Sequence, residues 1–491
     1  MSIRRYQGIL PRSAAQFLPP CLDDYVAPDN PVRAIDVFVQ TLELDALGFK
    51  HTGAWSGSGQ PPFDPAVLLK LYIYGYQNKI RSSRGLEKTT RRNVEVMWLC
   101  QRATPTYKTI SDFRKNNLEA LQKVNREFVQ MCRDLSLVGG TTVAVDGTFL
   151  KASANRSTVH TKSGLAREID RLDSQIAAYF DALGAADDTD AEDDLSDPDL
   201  VAKITALVAR RQKKKALQER LEASGEQQLS EVDPDARLLQ KRGTSIVGYN
   251  GQIAVDDQAK LIVAVDLVQD GNDTQQLVPM MKQAQAATGS EGLVGLADAG
   301  YANGAHLKEC EETGMEMYVP LPKQAAQKGL DGRFGRDDFH YDEEADSYRC
   351  PAGQTLVHGG GIEHVKGKRY LVYRSRSEVC GACPLKEQCV SPSKTYRRLK
   401  RWEHEAVMER HRQRMAEGDG VMRQRGSVVE HPFGTLKSWA GIHYFLMRGL
   451  AKCRGELNLM TLCYNFKRML TEVNVPTFIA YCQARMVRSR G

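Results

Sequence analysis

No run in this chain approaches the roughly 18 consecutive apolar residues of a membrane-spanning helix, so a membrane protein is not expected. The opening stretch, MSIRRYQGILPRSAAQFLPP, lacks the apolar core of a secretory signal. The expectation is a cytoplasmic protein, nucleoid-associated if it binds DNA. No disulfide framework is visible, because the cysteines number eleven, an odd count, and are scattered. Reduced thiols are expected, with one cluster set apart. No internal repeat of about 20–50 residues is present, which excludes solenoids and propellers.

Acidic residues are scarce in two blocks. Residues 76–116 carry 3 Asp+Glu against 10 Lys+Arg, and residues 394–491 carry 8 against 19. The acids gather instead in DDTDAEDDLSDPD, residues 187–199, with eight acids and no base. The net charge of +6 hides this asymmetry. Basic blocks near both ends point to a polyanion, most simply nucleic acid. The candidate contacts are Arg81, Arg84, Lys88, Arg91, Arg92, Lys108, Arg114 and Lys115 in the first block, and Arg423, Arg425 and Lys437 in the second. Solvated helix faces are the plainer alternative for either block.

What is present is ordinary soluble material. The 491 residues are 42% hydrophobic and 26% charged, enough for two to four domains. Residues 1–135 read as three helices. One starts at Pro65 and one is capped by Ser111. From 141 the pattern turns to strands. TTVAVDG is one, residues 246–255 and 261–268 are two more, and helices then alternate with strands through EGLVGLADAGYAN and MEMYVPLP. This order indicates a mixed α/β sheet over 141–162 and 243–324. Residues 163–242 interrupt it as a helical hairpin around the acidic run, and residues 325–400 as a Gly- and Cys-bearing insertion. Residues 401–491 are a basic helical region.

The chemistry is sought at element ends. Asp146 ends an apolar strand, Asp298 follows Leu293, Val294 and Leu296, and Glu430 follows Val428 and Val429. Pro432 suits a first helical turn, so a helix start is expected near Glu430, with Lys437 on the same face. A carboxylate on an apolar strand needs a cation. Two aspartates and a glutamate suit two hard cations, Mg²⁺ or Mn²⁺. Asp256, Asp257, Asp266 and Asp273 also lie near strand ends, and turn capping is the plainer account of them. For His431 a DNA contact or a first-turn helical position is expected.

Cys350, Cys380, Cys383 and Cys389 form the cysteine cluster. Four thiolates suit a structural Zn²⁺, and buried free thiols are the alternative. The surrounding segment has few large apolar residues, so a metal is expected to replace a missing core. Cys21, Cys100, Cys132, Cys310, Cys453, Cys463 and Cys482 read as core or bystander residues.

VAVDGTFLKASANRS, LADAGYANGAHLKECEETGMEMYVP and RGSVVEHPFGTLK resemble the three acidic motifs of bacterial insertion-sequence transposases of the DDE type, which have an RNase H-like core. PPFDPAVLLKLYIYGYQNKIRSSRGLEKTTRRNVEVMWLC followed by TISDFRK resembles their InsH-type N-terminal domain, and GYNGQIAVDDQAKLIVAVDLVQDGNDTQQLVPM their second and third strands. The resemblance runs in order from about residue 15 to 470. It implies catalytic positions at Asp146, Asp298 and Glu430, with Lys437 at a signature lysine. A related signature has Tyr and Arg before the glutamate. Here the Tyr position is Arg423 and the Arg position is Gly426, with Arg425 one residue off. The implied partners are terminal inverted repeats and target DNA, bound by a homodimer. A DNA-binding repressor or scaffold and an RNase H-like nuclease are the rival functions.

Overall fold

The computed structural model describes residues 21–53, 60–187, 198–241, 243–321, 332–365, 367–418, 420–439 and 444–490. Among them no helix is long and apolar enough to cross a membrane.

The N-terminal part contains more helices than the sequence pattern suggests. They are α1 (Pro31–Gln40), α2 (Pro65–Gln77), α3 (Ser83–Thr90), α4 (Val94–Leu99), α5 (Tyr107–Asn116) and α6 (Leu118–Asp134). Side-chain caps set most of the starts. Asn30 and Asp64 accept from the second residue of their helices, each with a proline in the first turn, and Ser82, Asn93 and Thr106 cap the next three. Thr106, not Ser111, therefore starts α5. The long third helix of the sequence reading breaks at Asn117. Helix α2 is buried almost all round from Leu68 to Tyr76, as expected of a helix at the centre of a bundle.

The catalytic-core candidate is one sheet. Its strands are β1 (Thr142–Lys151), then, after β2 (Val159–Thr161), α7 (Lys162–Asp187), α8 (Pro198–Ser224) and β3 (Gln228–Ser230), come β4 (Arg237–Lys241), β5 (Thr244–Asp256) and β6 (Ile262–Val268). Helix α9 (Leu277–Thr288), β7 (Val294–Leu296), α10 (Gly304–Glu312) and β8 (Glu316–Tyr318) complete it. β4 and β6 both pair with β5, and the order then runs β5-β1-β7-β8. β6, β5 and β1 are antiparallel neighbours, while β7 and β8 run parallel to β1. This is the RNase H-like mixed sheet expected from the sequence. β1 does not end at Asp146 but continues to Lys151, because β5 is long enough to pair with it as far as Gly248.

Both insertions form. β2 and β3 pair at the base of the α7–α8 hairpin, over a small core of Leu165, Leu217, Leu221 and Leu229. Most of the acidic run, residues 188–197, lies outside the described residues. The second insertion is a five-stranded antiparallel sheet of β9 (His340–Asp342), β10 (Ser347–Arg349), β11 (Thr355–Val365), β12 (Lys368–Arg374) and, after α11 (Ser377–Gly381) and α12 (Lys386–Cys389), β13 (Arg398–Trp402). It has a core of its own, contrary to the sequence expectation. Phe339, Tyr348, Leu356, Tyr373, Val390 and Leu399 are buried together. The few large residues of the segment are aromatic, and they fall on one side of the sheet. Tyr348 lies 5.0 Å from Tyr341 and 5.1 Å from Tyr373, centroid to centroid.

The chain closes with α13 (Glu405–Glu417), α14 (Val421–Gly434), α15 (Leu450–Glu472) and α16 (Val475–Arg490). Helix α15 packs on α2, α6 and β6, and α16 packs on α1. Phe128 of α6 lies 5.2 Å from Phe38 of α1 and 5.3 Å from Phe466 of α15, which lies 5.8 Å from Phe478 of α16. The first and last helices thus share a single core with the sheet.

Candidate active site

The register of β1 and β7 brings two sequence-distant aspartates side by side. Ala144 pairs with Leu296 in parallel. Two residues further along each chain come Asp146 and Asp298, at the same level where β7 ends. Asp298 caps the turn that follows, accepting from Gly300 N at 2.8 Å. Asp146 Oδ1 accepts from Gly147 N at 2.9 Å.

The cation beside them is Arg425 of α14. Its Nη2 lies 2.9 Å from Oδ1 of Asp146 and 3.9 Å from Oδ2 of Asp298. The Arg425 side chain is only 18% exposed, and its Nε is buried without a hydrogen-bond partner among the described residues. Arg425 was a DNA-contact candidate from the sequence, and the structure turns it inward onto the two aspartates.

Helix α14 begins at Val421, well before Glu430, and Pro432 lies inside it. The sequence reading of a helix start near Glu430 is therefore corrected. A proline N atom cannot donate to the preceding turn, and the helix passes within a few residues into a π-helical turn, Thr435–Trp439. Val428 and Val429 are buried and anchor α14, which packs on β1 and β5. Glu430 is exposed, and its carboxylate pairs with nothing among the described residues. Among those residues no three His, Cys, Asp or Glu side chains stand close enough to hold a metal ion. Asp146 and Asp298 are joined through Arg425, and Glu430 stands on the same helix five residues on, outside that contact. Lys437 Nζ donates to Thr148 Oγ1, on the same face of β1 as Asp146.

A further carboxylate, Asp273, lies near Gly147 and Gly300, the neighbours of Asp146 and Asp298. Asp273 Oδ1 accepts from Asn250 Nδ2 and Gln252 Nε2, both at 2.7 Å. Gln252 Oε1 in turn accepts from the Tyr301 hydroxyl. Burial, and then the charges of Asp273, Asp146 and Asp298, push that hydroxyl well above its ordinary pKa, so it remains a donor. The alternation of Asn250 and Gln252 within an otherwise apolar strand was the available sequence signal for this network. The other three aspartates are structural. Asp256 is buried and accepts from Gly139 N, Gly140 N and Gln258 N. Asp257 is raised by burial beside it, and Asp266 pairs with Arg454 at 2.6 Å. His431 contacts Tyr464 OH at 3.1 Å, and burial lowers its pKa. It is exposed and stands in the last turn of α14, not in a first turn.

Two predicted DNA contacts are also corrected. Arg114 is buried, donates to Tyr76 OH at 2.9 Å and stacks over Tyr72. Arg81 pairs with the fully buried Glu456 at 2.9 Å. Both neutralise or satisfy groups that the core would otherwise strand. Arg84, Lys88, Arg91, Arg92, Lys108, Lys115 and Arg423 are exposed. Arg84 lies 5.2 Å from the ring of exposed Tyr107.

Cys350, Cys380, Cys383 and Cys389 line one small cavity with Phe334, Leu356 and Val390. Gln354 N donates to Cys350 Sγ at 3.3 Å, and Ser375 Oγ lies 2.9 Å from Cys380 Sγ. Burial raises the Cys389 thiol pKa. All eleven cysteines are free, and outside this cluster all but Cys21 are buried.

Residues 20–116 match the family described as transposase domain (DUF772), and residues 220–466 match the transposase DDE domain. No curated protein matches the chain. A solved structure similar to it is a cryo-EM structure of a piggyBac transposase synaptic complex with hairpin DNA. That likeness has a TM-score of 0.33 and 9% identity, over 93% of this chain and 79% of that one. The DDE match alone spans half of the 491 residues, and it contains Asp298, Arg425 and Glu430, so the chain belongs to the DDE transposases.

Proposed function

We propose that this chain binds the terminal inverted repeats of its element as a homodimer, cleaves phosphodiester bonds there and transfers the freed 3′-hydroxyl strand to target DNA. The observation that carries this reading is the single guanidinium nitrogen spanning Asp146 and Asp298. A cation already stands between two carboxylates on neighbouring parallel strands, and the donors are oxygens only, which suits Mg²⁺ or Mn²⁺. Asp146, Asp298 and Glu430 would hold two ions. When bound, such a pair about 4 Å apart polarises a phosphate and activates a water or a 3′-hydroxyl for in-line displacement.

The remaining work falls to the chain's own groups. Arg425 withdraws from the carboxylates and becomes available to a phosphate. Lys437, held beside β1 through Thr148, places a positive charge near the scissile group. The exposed Arg84, Lys88, Arg91, Arg92, Lys108 and Lys115 grip the DNA backbone without reading its sequence. The four cysteines lining one cavity support a structural Zn²⁺ there, once their side chains turn onto a common point.

Alanine at Asp146, Asp298 or Glu430 is expected to abolish cleavage and strand transfer and to leave DNA binding intact, measured on end-containing DNA with Mg²⁺ or Mn²⁺. Ca²⁺ should support binding with little chemistry. Retained strand transfer in any of the three variants would remove that residue from the site. Nicking without strand transfer by the unaltered protein would favour the nuclease, and binding without either would favour the repressor.

A further inference from the structure

The strand pairing of the second sheet sets two arginines directly opposite each other. Arg374 of β12 pairs with Arg398 of β13, Val372 with Lys400 and Tyr370 with Trp402. Directly opposed residues share a face of a sheet, and so do alternate residues of one strand. Lys368, Tyr370, Arg374, Arg398 and Lys400 therefore stand on one face, together with Glu363 of β11, which pairs with Tyr370. The other face carries Leu371, Tyr373 and Leu399 into the aromatic core. Arg374, Arg398 and Lys400 are exposed. Glu363 forms ion pairs with Arg398 and, at 2.6 Å, with Lys400. Arg374 has no ion-pair partner among the described residues.

Like charges opposed across antiparallel strands, with Cβ atoms about 5 Å apart, destabilise a sheet. Nothing in the folding of this sheet calls for that cost, yet the chain makes room for it. A Cβ on Gly359 would lie 2.7 Å from Arg374 Nε. The pairing of β11 with β12 shifts register between His358 and Gly361, so a glycine within the bulge leaves space for the guanidinium. The face is also anchored beside the candidate active site. A Cβ on Gly304, the first residue of α10, would lie 3.0 Å from Trp402 Cζ3, and α10 follows the turn capped by Asp298. Lys368 Nζ stands 4.6 Å from the Trp402 ring. From Trp402 the cations run along β13 to Arg398, about 14 Å at the rise of an antiparallel strand.

We propose that this basic face of the second sheet is a contact for the DNA backbone, separate from the N-terminal block, with a phosphate between Arg374 and Arg398. The proposal rests on the transposase reading of the chain. A phosphate supplies the negative charge that the opposed pair lacks, and its oxygens suit the planar guanidinium fork. The test uses the full chain with Arg374→Gln and Arg374→Glu, labelled duplexes read by fluorescence anisotropy over a series of salt concentrations, and melting curves. Arg374→Gln is expected to make the slope of log K against log salt shallower by about 0.9, the value of one phosphate contact. The change should be the same on an end-containing and an unrelated duplex, because backbone contacts carry no sequence. Arg374→Glu should weaken binding further and yet raise the melting temperature, since the introduced carboxylate faces Arg398. Weaker binding with a lowered melting temperature in Arg374→Glu would mean a packing role and overturns the proposal. An unchanged salt slope in both variants overturns it too and leaves the other DNA contacts standing. If those variants then sediment as monomers where the unaltered protein is a dimer, the face belongs to a second copy of the chain. Failure of the unaltered protein to bind either duplex overturns the transposase reading itself.

Discussion

At the residue scale, the same side-chain type does opposite work according to where the fold turns it. Arg425 neutralises Asp146 and Asp298, so Arg425→Gln leaves two carboxylates facing each other. The expected loss in metal-free buffer is below about 1 kcal/mol, since the pair is partly solvated. Added Mg²⁺ should raise the melting temperature more in the variant than in the unaltered protein, because no guanidinium has to leave. Equal gains would mean that Arg425 does not stand in the cation's place. Arg114 and Lys108 belong to the same basic block, yet only Lys108 faces solvent. Arg114→Ala removes a buried charged donor from Tyr76 and should cost about 2–3 kcal/mol in urea unfolding. Lys108→Ala should stay within about 0.5 kcal/mol and lower the salt dependence of DNA binding by about one phosphate contact.

Among the elements, α14 and the second sheet departed furthest from their sequence patterns. Pro432 looks like a helix opener, but the buried pair Val428 and Val429 holds α14 against the sheet strongly enough for the helix to run through it. The proline then sits in the last turn, where it cannot donate to the carbonyl of Val428. That shift moves Arg425 into the helix and over Asp146. The second sheet reads as core-poor because its aromatics are spread singly from Phe339 to Tyr373, and pairing of β9 to β12 stacks them. Its stability therefore should not depend on metal. Purified protein is expected to carry about one zinc per chain, by the four-thiolate stoichiometry. Cys383→Ser should lose it while the tyrosine near-ultraviolet circular dichroism of the sheet persists. Loss of that signal would mean that the aromatic core is insufficient alone. Absence of zinc from the unaltered protein would remove the metal.

For the whole molecule, α15 is the element that joins the N-terminal helices to the sheet. Asn465 is fully buried, and its side chain accepts from Ile262 N at 2.8 Å and donates to Ile262 O at 2.9 Å. It closes the edge of β6 with a side chain in place of another strand. Asn465→Leu strands both backbone groups and should cost about 2–4 kcal/mol in urea unfolding, lowering the stability of helices and sheet together. A variant in which the sheet melts apart from the helices would show that the shared core does not couple them.

The acidic motif positions rest on the family resemblance; local pattern was enough for the helical first third, the strands from Thr142 to Tyr318 and the two insertions. Each of these depends on apolar periodicity, turn residues or a short run of neighbours. Which acids meet was a different matter. Asp146 is separated from Asp273 and Asp298 by more than a hundred residues in sequence. Only the parallel register of Ala144 with Leu296, and the polar face of β5, bring them together. In the same way, nothing within the basic block distinguishes Arg81 and Arg114 from their exposed neighbours, because the groups they satisfy, Glu456 and Tyr76, come from other elements. Composition and periodicity determined what this chain is made of. Long-range pairing decided which charges face one another, since a Coulomb or hydrogen-bond partner is chosen by distance in space and not along the chain.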